Sequence, residues 1–200
     1  MMIDEFKTLK TSSQGLFKDK GSKFFAYAFP IQNEEDVRFY LENVKAEHPK
    51  ARHACYAYKL GIDETNFRAN DDGEPSGSAG KPILNTITSF DLTDTFVVVI
   101  RYFGGTLLGV PGLINAYKEA TKEALSMAEI ETKTINSLVK ISYDFDQTNA
   151  VMQMVRKLEL AVKEQTYENR CGIILDVRNS YIEKIKEELK EYWSLEVEVI

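Results

Sequence analysis

The stretch INSLVKISYDFDQTNAVMQMVRKLELAVKEQTYENRCGIILDVRNSYIEKIKEELKEYWSLEVEVI (residues 135–200) decides the fold of the end of the chain. Alternation over Ile135–Tyr143 predicts a strand, and the spacing of Val151, Met154, Val155 and Leu158 predicts a helix over Asp146–Leu160. Val162–Tyr167 and Cys171–Arg178 predict two more strands, joined by a Glu168-Asn169-Arg170 turn. Ser180 is placed to cap a helix carrying Ile182, Ile185 and Leu189, and Leu195–Ile200 alternates as a last strand. The order βαββαβ is the ferredoxin-like unit, and it puts a domain boundary near residues 130–136. The expected domains are residues 1–132 and 133–200.

Upstream, Lys23–Pro30 (KFFAYAFP) and residues 53–60 (HACYAYKL) predict strands. Thr95–Tyr102 (TFVVVIRY) has consecutive apolar residues, as a strand covered on both faces requires. Asn33 is placed to cap a helix with acidic residues Glu34, Glu35 and Asp36 in its first turn and Val37, Tyr40, Leu41 and Val44 on one face. Pro111 is expected at the first position of a second helix, whose stripe is Leu113, Tyr117, Ala120 and Ala124. Strands and helices both recur along the chain, and the expected class is α+β.

Composition narrows the function classes. Lys and Arg number 25 against 31 Asp and Glu, a net charge of −6, so any contact with nucleic acid has to come from a local patch. Lys7, Lys10, Lys18, Lys20 and Lys23 form a basic stretch broken by Asp19, either a modest phosphate-contacting edge or a solvated face. Two cysteines and two histidines argue against a disulfide framework and a Cys/His zinc site, and no metal or cofactor is expected. The opening MMIDEFKTLK has no apolar core for a signal peptide, and no apolar run is long enough for a membrane helix. A cytoplasmic protein with no membrane partner is expected. No residue pattern points to an oligomeric state.

Seven of the eleven glycines fall between Gly73 and Gly112, in two clusters. The first is ANDDGEPSGSAGKP (69–82), with Asp71, Asp72, Gly73, Glu74, Ser76, Gly77, Ser78, Gly80 and Lys81; the second is RYFGGTLLGVPG (101–112), with Arg101, Tyr102, Gly104, Gly105 and Gly109. A glycine loop feeding a helix start can hold an anion on free N–H groups, and both clusters have that form; ordinary tight turns are the other reading. Neither is a Walker A loop, because Pro75 and Pro82 stand where glycine and Ser/Thr are needed, and Val110 stands where the second cluster needs lysine. No dinucleotide fingerprint or nucleophile elbow is present. Asp71, Asp72 and Glu74 form either an oxygen-ligand set for Mg²⁺ or a solvated acidic turn. His53 and Cys55, two apart on a strand, are weak candidates for a base and nucleophile pair, and packing is their ordinary use. Tyr56, with Phe24, Phe25, Tyr27, Tyr58, Tyr102 and Phe103, offers either core filling or stacking platforms for bases.

DDGEPSGSAGKPIL (71–84), VVVIRYFGG (97–105), the spaced LG..GL…AY (108–117) and HACYAY (53–58) closely resemble the Impact/YigZ family. The βαββαβ tail resembles the small C-terminal domain of its bacterial members. The resemblance implies an N-terminal α/β sandwich like ribosomal protein S5 domain 2. It also implies a ferredoxin-like C-terminal domain resembling elongation factor G domain V. It implies an association with RNA and the ribosome, translational control through protein partners, and no established catalysis. Where members commonly read FGGIKLGAGGLVRAY, this chain has FGGTLLGVPGLINAY: Leu107 replaces a lysine and Asn115 an arginine. Two cations are thereby missing from the second loop, leaving Lys81 and Arg101 as candidate phosphate partners.

The leading expectation is a non-enzymatic, translation-associated protein that contacts RNA, the ribosome or a translation factor through the two loops. One alternative is a small-molecule enzyme with a metal-assisted phosphate site at residues 71–81. Another is a protein–protein interaction module.

Overall fold

A computed structural model describes residues 4–62, 65–192 and 194–200; the first three residues of MMIDEFKTLK lie outside these. The chain divides into two compact units, Phe6–Lys133 and Thr134–Ile200, the second joined by Asp4 and Glu5.

The larger unit is built on an antiparallel sheet in the order β2-β3-β6-β4-β5. Its strands are β2 (Ser13–Asp19), β3 (Ser22–Pro30), β4 (His53–Lys59), β5 (Phe67–Asn70) and β6 (Thr95–Tyr102). β6 is central and buried along seven of its eight residues, which is why it has no polar alternation. One face carries Phe24, Ala26, Ala28, Cys55, Ala57, Val97 and Val99 under helices α2 (Gly80–Ser89) and α3 (Gly109–Ser126). The small residues allow close approach: a Cβ on Gly15 would stand 2.4 Å from the backbone nitrogen of Ala124 in α3. The other face is aromatic, with Tyr27, Tyr58, Phe96, Val98 and Ile100 under α1 (Glu34–Glu47). Asn33 caps α1 as expected, accepting from the amides of Glu35 and Asp36 at 2.9 and 3.0 Å. Strands β1 (Glu5–Leu9) and β7 (Ile130–Thr134) pair as a two-stranded ribbon.

Pro111 is not at the first position of α3. The helix begins two residues earlier, at Gly109, so the proline is third. It fits the first turn but deletes one of the free amides there.

The smaller unit has β8 (Asn136–Tyr143), α4 (Thr148–Lys157), β9 (Ala161–Tyr167), β10 (Cys171–Arg178), α5 (Asn179–Leu189) and β11 (Glu196–Val199). The antiparallel order β11-β8-β10-β9 completes the ferredoxin-like topology, around a core that includes Val139, Ile141, Ile173, Leu175, Val151 and Ile185. Two local expectations change. The predicted 146–160 helix is a short 3-10 turn, Phe145–Gln147, followed by α4. Ser180 does not cap α5: the helix starts at Asn179, and the Asp4 carboxylate accepts from the Ser180 amide at 2.7 Å. An acid from the far end of the chain thus supplies the cap, which local pattern reading cannot find. Among the described residues no helix is long and apolar enough to cross a membrane.

Candidate functional site

The first glycine-rich loop, between β5 and α2, is filled by its own carboxylates. Asp71 accepts from the amides of Gly77, Ala79 and Gly80 at 2.8, 3.0 and 2.8 Å. Burial disfavours its charge, but these backbone bonds outweigh that and hold the carboxyl below its ordinary value. The amides at the start of α2 therefore already hold an anion, supplied by the chain. Asp72 accepts from the Ala54 amide of β4 at 2.7 Å. Gly73 takes a positive φ of 86° to turn the loop, and Gly80 lies so close to Asn70 that a Cβ would stand 2.5 Å from its nitrogen. The Ser78 hydroxyl donates to the Pro75 carbonyl at 2.6 Å, while Ser76 is exposed.

Glu74 turns inward. It is 9% exposed, pairs with the Nη1 of Arg101 (8% exposed) at 2.7 Å, and accepts from the Tyr117 hydroxyl at 2.9 Å. The Cys55 thiol donates to the Asp71 carbonyl at 2.9 Å and toward the Tyr117 hydroxyl at 3.2 Å. Burial, against that hydroxyl contact, pushes the thiol up to about 12. Cys55 is thus a buried core thiol, hydrogen-bonded on both sides. Its supposed base, His53, donates instead from Nδ1 to the Asp72 carbonyl at 2.8 Å. Tyr56 lies on the opposite face, edge-on to Phe96. The three carboxylates thus serve three separate partners rather than converging on a cation. Among the described residues no group of three or more His, Cys, Asp and Glu is placed to hold a metal.

The second loop behaves differently. Gly104 is pinned against the β2–β3 turn, where a Cβ would stand 1.9 Å from the Gly21 carbonyl carbon; its amide donates to the Ser22 hydroxyl at 3.1 Å. Gly105 and Gly109 have positive φ values of 88° and 69°, and the stretch from Phe103 to Leu107 is exposed.

Beside this loop lies a cleft of about 660 Å³, lined by Lys50, Arg52, His53, Arg101, Tyr102, Phe103 and Leu107. The pairing of β4 with β6 sets His53 opposite Arg101, so both come to the same end of the sheet. The α1–β4 connection supplies Lys50 and Arg52, which form no ion pair among the described residues. Arg101 is neutralised by Glu74, and its guanidinium carbon lies 5.6 Å from the ring centres of both Phe24 and Phe103. It thereby props the 56%-exposed Phe103 ring at the cleft edge. A neighbouring depression is lined by Lys45, His48, Arg52, His53 and Asp72 among others. There His48 is held from both sides, Nε2 by the Tyr27 hydroxyl at 2.6 Å and Nδ1 by that of Tyr102 at 2.9 Å.

The structure thus brings His53, Arg101 and Tyr102 together but excludes Lys81, which lies on α2 in a different groove. Lys7 and Lys10 of the N-terminal basic stretch are spent on ion pairs with Asp91 and Glu129. Sequence reading overlooked Lys45, His48, Lys50 and Arg52, although KAEHPKARH (45–53) packs them and His53 beside a single acid, Glu47. That density exceeds the N-terminal stretch and was the available signal.

The Impact N-terminal domain model matches residues 20–125, the segment that carries both loops and the cleft. An IMPACT family member of Haemophilus influenzae is 36% identical over 174 residues, covering 86% of this chain and 84% of that protein. The IMPACT family member YvyE of Bacillus subtilis is 29% identical over 196 residues, covering 98% and 88%. The crystal structure of a hypothetical protein is similar with a TM-score of 0.71 and 25% identity, covering 100% of this chain and 98% of that one. A crystal structure from Thermus thermophilus, 9% identical with a TM-score of 0.61, covers 100% of this chain and 29% of that one and shares the fold alone. On the strength of the domain match and of relatives aligned over most of its length, the chain belongs to the IMPACT family.

Proposed function

We propose that this chain is a non-enzymatic RNA-binding protein of the translation apparatus, holding the phosphate backbone in the cleft between the α1–β4 connection and the end of β6. The observation that carries this reading is the pairing of unneutralised Lys50 and Arg52 with the exposed Phe103 ring. Cations beside an aromatic platform are what a single strand needs: the charges track phosphates and the ring stacks on a base. His53 adds selectivity. With Nδ1 committed as a donor to the Asp72 carbonyl, Nε2 is the ring nitrogen left to meet a ribose hydroxyl. Family membership supports the translational setting that the resemblance implies.

The test is fluorescence anisotropy with a labelled single-stranded RNA over a potassium chloride series. Each phosphate contact contributes a slope of about −0.7 in log K against log salt, so loss of one cation flattens the slope by about that amount. Arg52→Ala is expected to weaken binding and flatten the slope. RNA binding unchanged by Arg52→Ala, or no binding at low salt, would reject the cleft as the site.

A further inference from the structure

A second concavity, of about 600 Å³, runs between α2 and α3. Its apolar lining is Pro82, Phe90 and Ile114, and its charged lining is Lys81 from α2 and Lys118 and Lys122 from α3. Ile114, Lys118 and Lys122 are four residues apart, so they form one ridge of α3, facing the Lys81, Asn85 and Ser89 ridge of α2. Among the described residues no acid lines the groove, although the whole chain carries a net charge of −6. Lys118 has only a 3.9 Å contact with the neighbouring Glu119, which leaves its charge available, and Ile114 is 39% exposed.

An apolar groove flanked by three lysines, set in an acidic protein, selects an occupant by charge and by shape. We infer that the α2–α3 groove docks an acidic amphipathic helix of a partner protein, its apolar residues in the trough and its carboxylates on Lys81, Lys118 and Lys122. A groove between two helices suits a helix that offers anchors three and four residues apart. RNA fits less well here. The groove's apolar lining is a proline, an aliphatic side chain and one ring, Phe90, that is only partly exposed, so it offers no open stacking platform. The groove shares no residue with the cationic cleft, so the inference does not depend on the RNA reading.

The probe is a fluorescein-labelled peptide of about sixteen residues, with Leu at i, i+3, i+4 and i+7 and Glu elsewhere, set against the same peptide with Lys for every Glu. The full chain is expected to bind the acidic peptide and not the basic one. Backbone amide resonances of Asn85, Ser89 and Lys118 should shift on binding. The double variant Lys118→Glu/Lys122→Glu, with its fold checked by circular dichroism, should weaken binding at least about tenfold. Arg52→Ala should leave peptide affinity unchanged. Absence of binding by the acidic peptide, equal binding by the double variant, shifts confined to other surfaces, or displacement of the peptide by single-stranded RNA would each overturn the inference.

Discussion

Residues 71–80 and 103–109 are both rich in glycine and both lead into a helix, yet the first is closed and the second open. In the first, Asp71 occupies the amides that an external anion would need, and Glu74 is buried against Arg101 and Tyr117. In the second, the backbone is fixed at Gly104 while Phe103 and the 82%-exposed Leu107 face outward beside Lys50 and Arg52. Glycine content reports the conformations a loop can take. Whether its donors are free depends on a carboxylate several residues away, and in the acidic loop Asp71 takes up three of them.

The difference can be broken most severely at Glu74. Glu74→Ala leaves a buried guanidinium unpaired and should cost about 3–5 kcal/mol in urea unfolding, against a negligible effect of Ser76→Ala two residues on. In the open loop the largest effect belongs to Gly104→Ala, where the added carbon meets backbone; about 3 kcal/mol is expected. Asp71→Asn should cost about 2 kcal/mol, because three amides lose a charged acceptor. It should also change the acid limb of stability. The folded Asp71 carboxyl lies below its ordinary value of 3.8, so the unfolded chain takes up the proton first as pH falls. The stabilisation is complete above about pH 4, is lost as pH drops through the lower folded value, and Asp71→Asn should flatten thermal stability across that window. Gly105→Ala, with a positive φ but nothing within 4 Å, should cost only about 1 kcal/mol. An Asp71→Asn protein as stable as the parent at neutral pH would remove the distinction between the loops.

The fold was legible where burial and periodicity agree. The apolar run of β6 announced a central strand, and the alternation after residue 135 announced the smaller unit. Boundaries were lost where distant residues decide them: Asp4 takes over the cap expected from Ser180, and α3 begins ahead of Pro111. The candidate site was legible by half. His53, Arg101 and Tyr102 stood in recognisable segments, but the cleft also needs the α1–β4 connection, brought to them only by the pairing of β4 with β6. The partners of Asp71, Asp72 and Glu74 were not legible because adjacency in sequence says nothing about direction: neighbouring side chains of a tight turn face different groups. Cys55 had no alternative role once its depth in the core was known, and iodoacetamide should modify it only on unfolding.

The proposed RNA site is the cleft around Arg52 and not the glycine loop leading to Lys81. It is tested most directly by comparing Arg52→Glu with Lys81→Glu in single-stranded RNA binding at matched salt. Arg52→Glu is expected to abolish measurable binding, while Lys81→Glu leaves affinity and salt slope near those of the parent. Loss of binding in Lys81→Glu with Arg52→Glu unaffected would contradict it and return the site to the acidic glycine loop.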